Sequence, residues 1–289
     1  MDFRTIVDID TPDFSIPPCE RILCVGSCFA DRIGQRFREE KFNAVVNPFG
    51  VMYNPASIMH TVQRMANDQN FIPNVAFLTL GTNHVYILKE TGEIVDNCQK
   101  RPQKLFQEKA LTVDECVMYL QQSVELLEGL NKSVKVVVTV SPIRYAKYGF
   151  HGSALSKATL LLAADHLVAN SSGRVTYFPA YEIVNDELRD YRFYEPDMLH
   201  PSAQAVEYIW ERFQQMFLSD EARHFMAQWK PIKEALGHRP FNSQSEQYIE
   251  FLRNTKNKLE KLELEYGKHV FLQEHEKIDA LIGQGRAAD

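Results

Sequence analysis

Strand-like and helix-like stretches alternate along residues 20 to 218 of the chain. Runs of consecutive apolar residues predict strands at 21–25, 44–46, 75–80, 134–140 and 175–179. Apolar positions with helical spacing predict helices at 31–41, 55–66, 113–130, 156–170 and 203–217. This alternation is typical of an α/β fold, in which helices cover a mostly parallel sheet. The β-branched run at 134–140 suits a strand buried on both faces and is the best candidate for the central strand.

Two shorter strand-like runs, at 84–88 and 93–95, flank Thr91-Gly92. They predict a small hairpin inserted at the edge of the sheet. The segments 95–107 and 145–153 carry no clear periodicity, and we expect them to be loops that shape a pocket.

The character of the chain changes at about residue 219, after which it is charged and helical with no strand-like run. We therefore expect a domain at 1–218 and a C-terminal helical extension at 219–289. One seam in this extension has steps of four and three, as in a coiled coil, and consists of Tyr248, Leu252, Thr255, Leu259, Leu262 and Tyr266. Self-association of the protein through these helices and packing of one helix back onto the body explain the seam equally well.

The composition is that of an ordinary globular protein, with 45% hydrophobic and 24% charged residues among 289. A net charge of -6 gives no support to nucleic-acid binding, which normally shows a basic face. No segment approaches the ~18 consecutive apolar residues that cross a membrane. The first residues also lack the basic-then-apolar layout of a secretory signal. We expect a cytoplasmic protein that binds neither nucleic acid nor membrane.

The cysteines and histidines do not predict a metal site. The five cysteines are odd in number and form no C-x-x-C pair, so neither a disulfide framework nor a zinc ribbon is indicated. The histidines are not spaced as ligand pairs, and the glycine-rich loops that bind phosphate are absent from the sequence. We expect reduced thiols, no metal and no cofactor.

The pentapeptide Gly26-Ser27-Cys28-Phe29-Ala30 lies where the first predicted strand runs into the first predicted helix. A serine at such a corner is most often a helix N-cap. It can also be a nucleophile, because the amides at a helix N-terminus stabilise developing negative charge. The corner alone therefore indicates catalysis only weakly.

A second segment, Asp197-Met198-Leu199-His200, makes the chemistry more specific. Attack by a serine on an ester needs a base beside the hydroxyl and an acceptor that orients the base. Asp197 and His200 supply both groups from one loop. They follow the last predicted strand, and should lie with Ser27 at the carboxyl edge of the sheet.

These features resemble the SGNH, or GDSL-like, hydrolase superfamily, in which a serine after the first strand pairs with a D-x-x-H segment. More closely, the chain resembles the GSCFA domain family, which is named after the residues at 26–30. Other blocks that look like the family are found at 47–50, 79–82, 139–142, 156–157 and 197–202. The resemblance runs from about residue 20 to 215. It implies a three-layer α/β/α, flavodoxin-like fold and a cofactor-independent esterase or acyltransferase.

The resemblance also implies roles for individual residues. Ser27 matches the nucleophile, His200 the general base, and Asp197 the residue that orients it. The oxyanion hole would use the amide of Ser27, the amide of Gly50 and the side chain of Asn83. Asn54 competes with Asn83 for the last place.

The corner departs from the GDSL pattern, because Gly-Ser-Cys replaces Gly-Asp-Ser and no aspartate precedes Ser27. Cys28 is an alternative nucleophile activated by His200. Neighbouring residues at a helix start point about 100° apart, so only one of the two can face the histidine well. We expect Ser27 to do so and Cys28 to fill a small apolar space.

The substrate expected from the resemblance is a small-molecule or carbohydrate ester, with O-acetylated sugars as a reasonable guess. Candidate substrate-binding residues are Asn54, His84, Arg144, His151 and Tyr194. Arg144 and Lys157 would hold an anionic group or form structural ion pairs. Tyr191, Phe193 and Tyr194 would form an aromatic wall or pack a loop against the body. The alternative function is a non-catalytic glycan-binding or scaffold protein on the same fold.

Overall fold

The computed structural model describes residues 3–96, 98, 101–242 and 244–286. The chain divides into two compact units. The first consists of Met1–Ile16 and Glu20–Leu218, and the second of Pro17–Cys19 and Ser219–Asp289. No helix in the described ranges is both long and apolar enough to cross a membrane.

The described residues of the first unit form eight strands in two sheets. The strands are β1 (Arg21–Gly26), β2 (Asn43–Val46), β3 (Val75–Leu80), β4 (His84–Leu88), β5 (Ile94–Val95), β6 (Phe106–Ala110), β7 (Lys135–Val140) and β8 (Val175–Tyr177). The larger sheet has the order β2-β1-β3-β7-β8, and all its strands are parallel. The smaller sheet has the order β5-β4-β6 and is antiparallel. The parallel strands confirm the sequence prediction. The strands β4 and β5 form the predicted hairpin, but it pairs with β6 in a separate sheet rather than at the edge of the parallel one.

Six helices accompany these strands in the described part of this unit. They are α1 (Cys28–Glu39), α2 (Pro55–Asp68), α3 (Val113–Leu130), α4 (Gly149–Ala169), α5 (Ala180–Glu182) and α6 (Ala203–Phe217). A π-helical turn at Ile183–Leu188 directly continues α5. Single turns of 3-10 helix lie at Gln103–Leu105, Ala146–Tyr148 and Tyr191–Phe193.

The two faces of the parallel sheet are buried by different kinds of side chain. Aliphatic residues of α2, α3 and α4 pack on one face, against alternate residues of the central strands such as Leu78 and Val138. On the other face an aromatic cluster joins Phe77 of β3 to Phe37 of α1 and Phe213 of α6. This is the three-layer α/β/α architecture. The strands are apolar on both faces, so each face of the sheet packs against a layer of apolar side chains.

Three features of the first unit differ from the sequence prediction. The helix α4 begins at Gly149, seven residues before the expected start at Ser156, because a turn rich in glycine carries no apolar periodicity. The strand β6 replaces part of an expected loop. Only Phe106 of β6 is buried, so its pairing with β4 comes from backbone hydrogen bonds that leave no apolar pattern. The turn at Ile183–Leu188 was not predicted either.

The second unit is helical. It contains α7 (Asp220–Gly237), α8 (Glu246–Tyr266) and α9 (Leu272–Arg286), with a 3-10 turn at Lys268–Phe271. The helix α8 packs against α7 and α9. Most of the predicted seam is buried in this unit, namely Tyr248, Leu252, Thr255, Leu259 and Leu262. Packing within the unit therefore accounts for the seam, and self-association stays a prediction.

Candidate active site

The strand order reverses between β1 and β3, so a ligand crevice is expected at the carboxyl ends of these two strands. The chain leaves β1 for β2 on one side, and later places β3 on the other side of β1. In open α/β sheets a reversal of strand order of this kind is where ligands bind. The corner that follows β1 and the turn that follows β3 flank this crevice.

Gly26 allows the corner to approach β3 closely. Gly26 lies opposite Thr79 in the parallel pairing, and its φ of +145° is unfavourable for other residues. A Cβ atom on Gly26 would lie 2.2 Å from the backbone oxygen of Thr79. The same oxygen accepts a hydrogen bond of 3.1 Å from the Ser27 amide. The corner therefore requires glycine at this position.

Asn47, which follows β2, holds the corner from the other side. Its Oδ1 atom accepts a hydrogen bond from the Gly26 amide at 2.9 Å. Its Nδ2 group donates to Asp31 Oδ1 of α1 at 2.7 Å. Asn47 thus fixes the end of β1 and the first turns of α1 relative to each other, a positioning role that the sequence analysis missed.

Ser27 is the N-cap of α1. Its side chain is 2% exposed, and its Oγ atom accepts a hydrogen bond from the Phe29 amide at 3.3 Å. Oγ also lies 3.1 Å from Thr79 Oγ1. These contacts turn the Ser27 hydroxyl toward β3 and the interior.

Cys28 faces the histidine instead. Its Sγ atom lies 3.5 Å from His200 Nε2, and the side chain is partly exposed. The expectation that Ser27 contacts His200 is thereby corrected. The physical reason is the cap: a serine that bonds the amide two residues later turns inward, and the next side chain turns toward the crevice.

Asp197 and His200 contact each other as the sequence predicts. Asp197 Oδ2 lies 2.6 Å from His200 Nδ1. Asp197 Oδ1 accepts hydrogen bonds from the backbone amides of Leu199 at 2.8 Å and His200 at 3.0 Å. These two amides, with a smaller effect from the imidazole, lower the pKa of Asp197 to about 2. The carboxylate is therefore ionised over the whole physiological range.

The loop that carries this pair is closed on itself. The Glu195 amide donates to the His200 oxygen at 2.7 Å, and Tyr194 forms a bridge with Pro201. The helix α1 holds the loop through an ion pair between Arg32 and Glu195 at 3.3 Å. The loop that carries Asp197 and His200 is thus held by its own hydrogen bonds and by α1, the helix that starts at Cys28.

The hydrogen bonds define how the imidazole would work. An ionised carboxylate only accepts hydrogen bonds, so Nδ1 of His200 carries the ring proton and donates it in a hydrogen bond to Asp197 Oδ2. The neutral ring then presents the lone pair of Nε2 to Cys28. Burial raises the pKa of the Cys28 thiol, so a nearby base is needed to take its proton.

Two of the predicted oxyanion donors already have acceptors. The Ser27 amide donates to Thr79, and the Gly50 amide donates to the Asn47 oxygen at 2.9 Å. Gly50 has a φ of +96° and belongs to the turn after β2. The Cys28 amide, by contrast, belongs to the first turn of α1, where helix amides have no partner within the helix.

The two candidate asparagines hold structural contacts. Asn83 Nδ2 donates to the Leu111 oxygen at 2.7 Å, and the Asn83 amide donates to Ser156 Oγ at 3.0 Å. Asn54 is the N-cap of α2, with Oδ1 accepting from the Ser57 amide at 2.9 Å. This cap does not use the Nδ2 group of Asn54, which can still donate.

Lys157 of α4 is a charged side chain buried at this edge of the sheet. It is 3% exposed, and its Nζ group donates to the backbone oxygens of Gly81 and Ser141, both at 2.7 Å. These oxygens follow β3 and β7. Burial lowers the pKa of Lys157 to about 7, against a smaller opposing effect from Cys28 that is included in this value.

Arg144 and Tyr194, two predicted substrate-binding residues, share a cavity of about 260 Å³. The cavity is lined by Arg144, Asn185, Arg189, Asp190, Tyr191 and Tyr194, among others. Arg144 also contacts the loop of the candidate site, with its amide donating to the Leu199 oxygen at 3.0 Å and its guanidinium to the Met198 oxygen at 3.1 Å. The guanidinium lies over the Phe150 ring at 4.1 Å. An arginine among aromatic rings suits an anionic or sugar-like group.

The other two candidates, His84 and His151, are not among the residues that line this cavity. His84 stacks on Tyr148 at 3.8 Å between ring centroids, and burial lowers its pKa. Tyr145 lies between Tyr148 and Tyr53, at 5.4 and 6.4 Å. His151 is exposed in the first turn of α4.

All five cysteines are among the described residues, and none forms a disulfide. Within the described ranges, no group of three or more His, Cys, Asp or Glu side chains is placed to hold a metal ion.

The sequence contains a feature that points to Cys28, although the sequence analysis predicted Ser27 as the nucleophile. Gly-Ser-Cys and Gly-Asp-Ser align residue by residue, and the third position of this alignment is Cys28. Asn47 and Thr79 stand in the family-like blocks at 47–50 and 79–82, but nothing local indicates that they hold the corner, because their contacts join neighbouring strands.

A search of the curated proteins found no match to this chain. Among solved structures, it is similar to an acetyl esterase mutant with an acetate ion, with 11% identity, a TM-score of 0.42, and 67% of this chain and 94% of that chain covered. It is also similar to a carbohydrate esterase family 3 protein from Talaromyces cellulolyticus, with 11% identity, a TM-score of 0.40 and the same coverage of 67% and 94%.

Family models match both parts of the sequence. The model of the GSCFA family matches residues 21–76 and 72–213. The model of the GSCFA domain protein C-terminal domain matches residues 229–282. These matches cover most of the chain, which therefore belongs to the GSCFA family.

Proposed function

We propose that this protein is an acyl hydrolase or acyltransferase in which Cys28 attacks an acyl ester. His200 is the general base in this proposal, and Asp197 orients it. The observation that carries the proposal is the row of contacts from Asp197 Oδ2 to His200 Nδ1 at 2.6 Å and from His200 Nε2 to Cys28 Sγ at 3.5 Å. A nucleophile, a base and an orienting carboxylate in this order are what acyl transfer requires.

In the first half-reaction, the Cys28 sulfur forms a bond to the carbonyl carbon while its proton moves to His200 Nε2. The carbonyl oxygen becomes an oxyanion, near the N-terminal amides of α1 in this arrangement. The intermediate then breaks its bond to the alcohol oxygen, which takes the proton from His200 and leaves as an alcohol. Cys28 is left as a thioester.

In the second half-reaction, His200 takes a proton from water, and the resulting hydroxide attacks the thioester carbonyl carbon. The carbon–sulfur bond breaks, the sulfur takes the proton back from His200, and a carboxylic acid is released. An acceptor alcohol in place of water would give a new ester, so that hydrolysis and transfer differ only in the second nucleophile.

The substrate class follows from the resemblance to esterases and from the surface beside the site. An ester of a small molecule or a carbohydrate stays our expectation, with O-acetylated sugars first. Arg144 and Tyr194 support it, since a planar cation and an aromatic ring beside the loop suit a polar ring-shaped group.

The test compares Cys28→Ala with Ser27→Ala in hydrolysis of short p-nitrophenyl esters. We expect Cys28→Ala to lose at least ~10³-fold in kcat, because removal of a nucleophile leaves only the residual catalysis of the site. Cys98→Ala is the matched control, since it removes a partly exposed thiol outside the site and should act like the parent.

Mass spectrometry of trapped protein separates the competing assignments. The proposal expects the acyl group and the iodoacetamide adduct on the Cys28 sulfur itself, located by fragmentation of the peptide because Cys24 and Ser27 lie beside it, and loss of turnover on alkylation. Labelling of Ser27 by a fluorophosphonate, with turnover retained in Cys28→Ala, would instead establish the serine mechanism. Folded protein with no turnover and no trapped acyl group would favour the glycan-binding or scaffold alternative.

A further inference from the structure

The cavity beside the loop of Asp197 and His200 is lined by two arginines whose charge no carboxylate neutralises. Arg144 and Arg189 both line it. Within the described ranges, neither guanidinium forms an ion pair. Asp190 also lines the cavity, but its carboxylate is held by Arg192, which is not part of the lining, at 2.8 Å. The positive charge of two guanidinium groups is therefore left for a ligand.

Arg144 is held in place without using most of its donors. Its guanidinium donates to the Met198 oxygen at 3.1 Å and lies 4.1 Å from the Phe150 ring and 5.6 Å from the Tyr194 ring. The rings restrain the guanidinium without occupying its N–H groups. An arginine has five such donors, and the others have no acceptor among the described residues. A planar guanidinium fixed in this way suits a carboxylate or a phosphate.

Two further polar groups in the lining complement an acidic sugar. The Tyr194 hydroxyl has no hydrogen-bond partner in the described part of the chain. Burial raises the pKa of Tyr194, so this hydroxyl keeps its proton and can donate it. Asn185 donates from Nδ2 to the Tyr181 oxygen at 2.7 Å, which leaves its Oδ1 atom as an acceptor for a sugar hydroxyl. With a volume of about 260 Å³, the cavity suits one small ring-shaped group.

The proposed mechanism determines which part of the substrate lies near this cavity. The alcohol oxygen of the ester takes its proton from His200, so the alcohol part must lie on the imidazole side of Cys28. Arg144 contacts this side, because its amide donates to the Leu199 oxygen at 3.0 Å and its guanidinium to the Met198 oxygen at 3.1 Å. Both oxygens belong to the segment between Asp197 and His200. The cavity is therefore next to the place of the alcohol part.

We propose that this cavity binds an anionic group on the alcohol part of the ester, so that the substrate is an acyl ester of an acidic sugar. Arg144 and Arg189 hold the anion, and Tyr194 donates a further hydrogen bond. This inference rests on the proposed function and deepens it by assigning a charge to the substrate. The net charge of the chain is -6, so a preference for an anion has to come from local groups. A carboxylate and a phosphate share the required chemistry.

The test measures binding of glucuronate, glucose 6-phosphate and glucose to the protein by isothermal titration calorimetry at low salt. We expect one of the two acidic sugars to bind about tenfold or more tightly than glucose, because charge-assisted hydrogen bonds are the stronger ones. Added salt should reduce this difference. The tighter of the two identifies the anion as a carboxylate or a phosphate. Neither acidic sugar binding more tightly than glucose would overturn the proposal.

Substitution of Arg189 assigns the preference to the cavity. Arg189→Gln should weaken binding of the acidic sugar about tenfold and leave glucose unchanged, since it removes charged donors from the lining. Arg38→Gln is the matched control. It removes the same charge from an exposed guanidinium that donates to the Ala44 oxygen and does not line the cavity. Equal losses in the two variants would assign the preference to overall charge and overturn the proposal.

Substitution of Asp190 tests the opposite sign. Asp190→Asn keeps an oxygen for the Arg192 amide, which Asp190 Oδ1 now accepts at 2.8 Å, but removes the negative charge from the lining. It should tighten binding of the acidic sugar several-fold, and unchanged or weaker binding would contradict the proposal. Binding of these sugars needs no turnover. Its failure is therefore distinguishable from failure of the proposed function, which would appear as full turnover in Cys28→Ala.

Discussion

Ser27 and Cys28 are adjacent, yet their side chains make different contacts at the corner between β1 and α1. The Ser27 oxygen satisfies the Phe29 amide at the start of α1, which is the ordinary role of serine at an N-cap. Cys28 is the next residue around the helix, and its sulfur points to His200. Which of the two side chains faces His200 thus depends on a rotation of about 100° per residue, which neither composition nor spacing reveals.

At the same scale, Asp197→Asn should reduce kcat for p-nitrophenyl ester hydrolysis by about 10²-fold or more. An asparagine can still accept from the two backbone amides, but it no longer carries the charge that stabilises an imidazolium and orients Nε2. Steady-state kinetics checks the effect. Asp186→Asn, at an exposed aspartate of the π-helical turn, is the control and should match the parent. Equal activity of Asp197→Asn and the parent would remove Asp197 from the mechanism.

Among the elements, the corner between β1 and α1 is the one whose geometry the site depends on. Gly26→Ala should lower the free energy of unfolding by more than ~3 kcal/mol, because the added methyl group would meet backbone rather than a flexible side chain. Urea unfolding measures the change. Gly129→Ala in α3 is the matched control, since nothing lies within 4 Å of its Cβ position and alanine favours helix. Similar losses in both variants would contradict the argument.

The helix α8 provides a second test at this scale. Leu252 is fully buried, whereas Leu264 on the same helix is 90% exposed. Leu252→Ala should cost about 2–5 kcal/mol of unfolding free energy, and Leu264→Ala should lie within ~0.5 kcal/mol of the parent. Thermal unfolding and sedimentation are measured together. A Leu252→Ala protein that stays stable but changes its oligomeric state would favour the coiled-coil interpretation of the seam.

The elements also show which predictions the sequence supports. Val75–Leu80, Val113–Leu130 and Ala203–Phe217 were predicted with the bounds that the structure has, because each is a strong apolar pattern between clear breaks. The strand β6 was missed because a polar edge strand is made by pairing with β4. The start of α4 was missed because its first residues include Gly149 and Gly152 and show no apolar periodicity. This part of the helix is held by contacts such as the hydrogen bond from the Tyr145 amide to Ser153 Oγ.

For the molecule as a whole, Lys157 gives folding a defined dependence on pH. Its pKa is lowered from 10.5 to about 7 in the folded state. Below about pH 7, Lys157 is protonated in both the folded and the unfolded state, so the full free-energy cost of burying its charge lowers the stability of the folded protein. Between about 7 and 10.5 the unfolded state binds more protons, so this contribution to stability rises with pH.

The parent should therefore gain stability relative to Lys157→Met as the pH rises from 7 to 9, at up to ~1.4 kcal/mol per pH unit. Taking the difference cancels other titrating groups, such as the buried thiol of Cys24, whose pKa burial raises. Urea unfolding at several pH values gives both curves. Parallel curves for the parent and Lys157→Met would show that Lys157 keeps its ordinary titration in the folded protein.

The sequence by itself determined the fold class, the strong strands and helices, the family and the Asp197–His200 pair. Each of these is local, since apolar periodicity, a break or a spacing of three residues is contained in one segment. Only the tertiary structure decided that His200 contacts Cys28, that Asn83 donates a hydrogen bond to the Leu111 oxygen beside the second sheet, and that Lys157 lies buried at the ends of β3 and β7. These contacts join residues far apart in the chain, and their geometry depends on caps and strand register that no single segment contains.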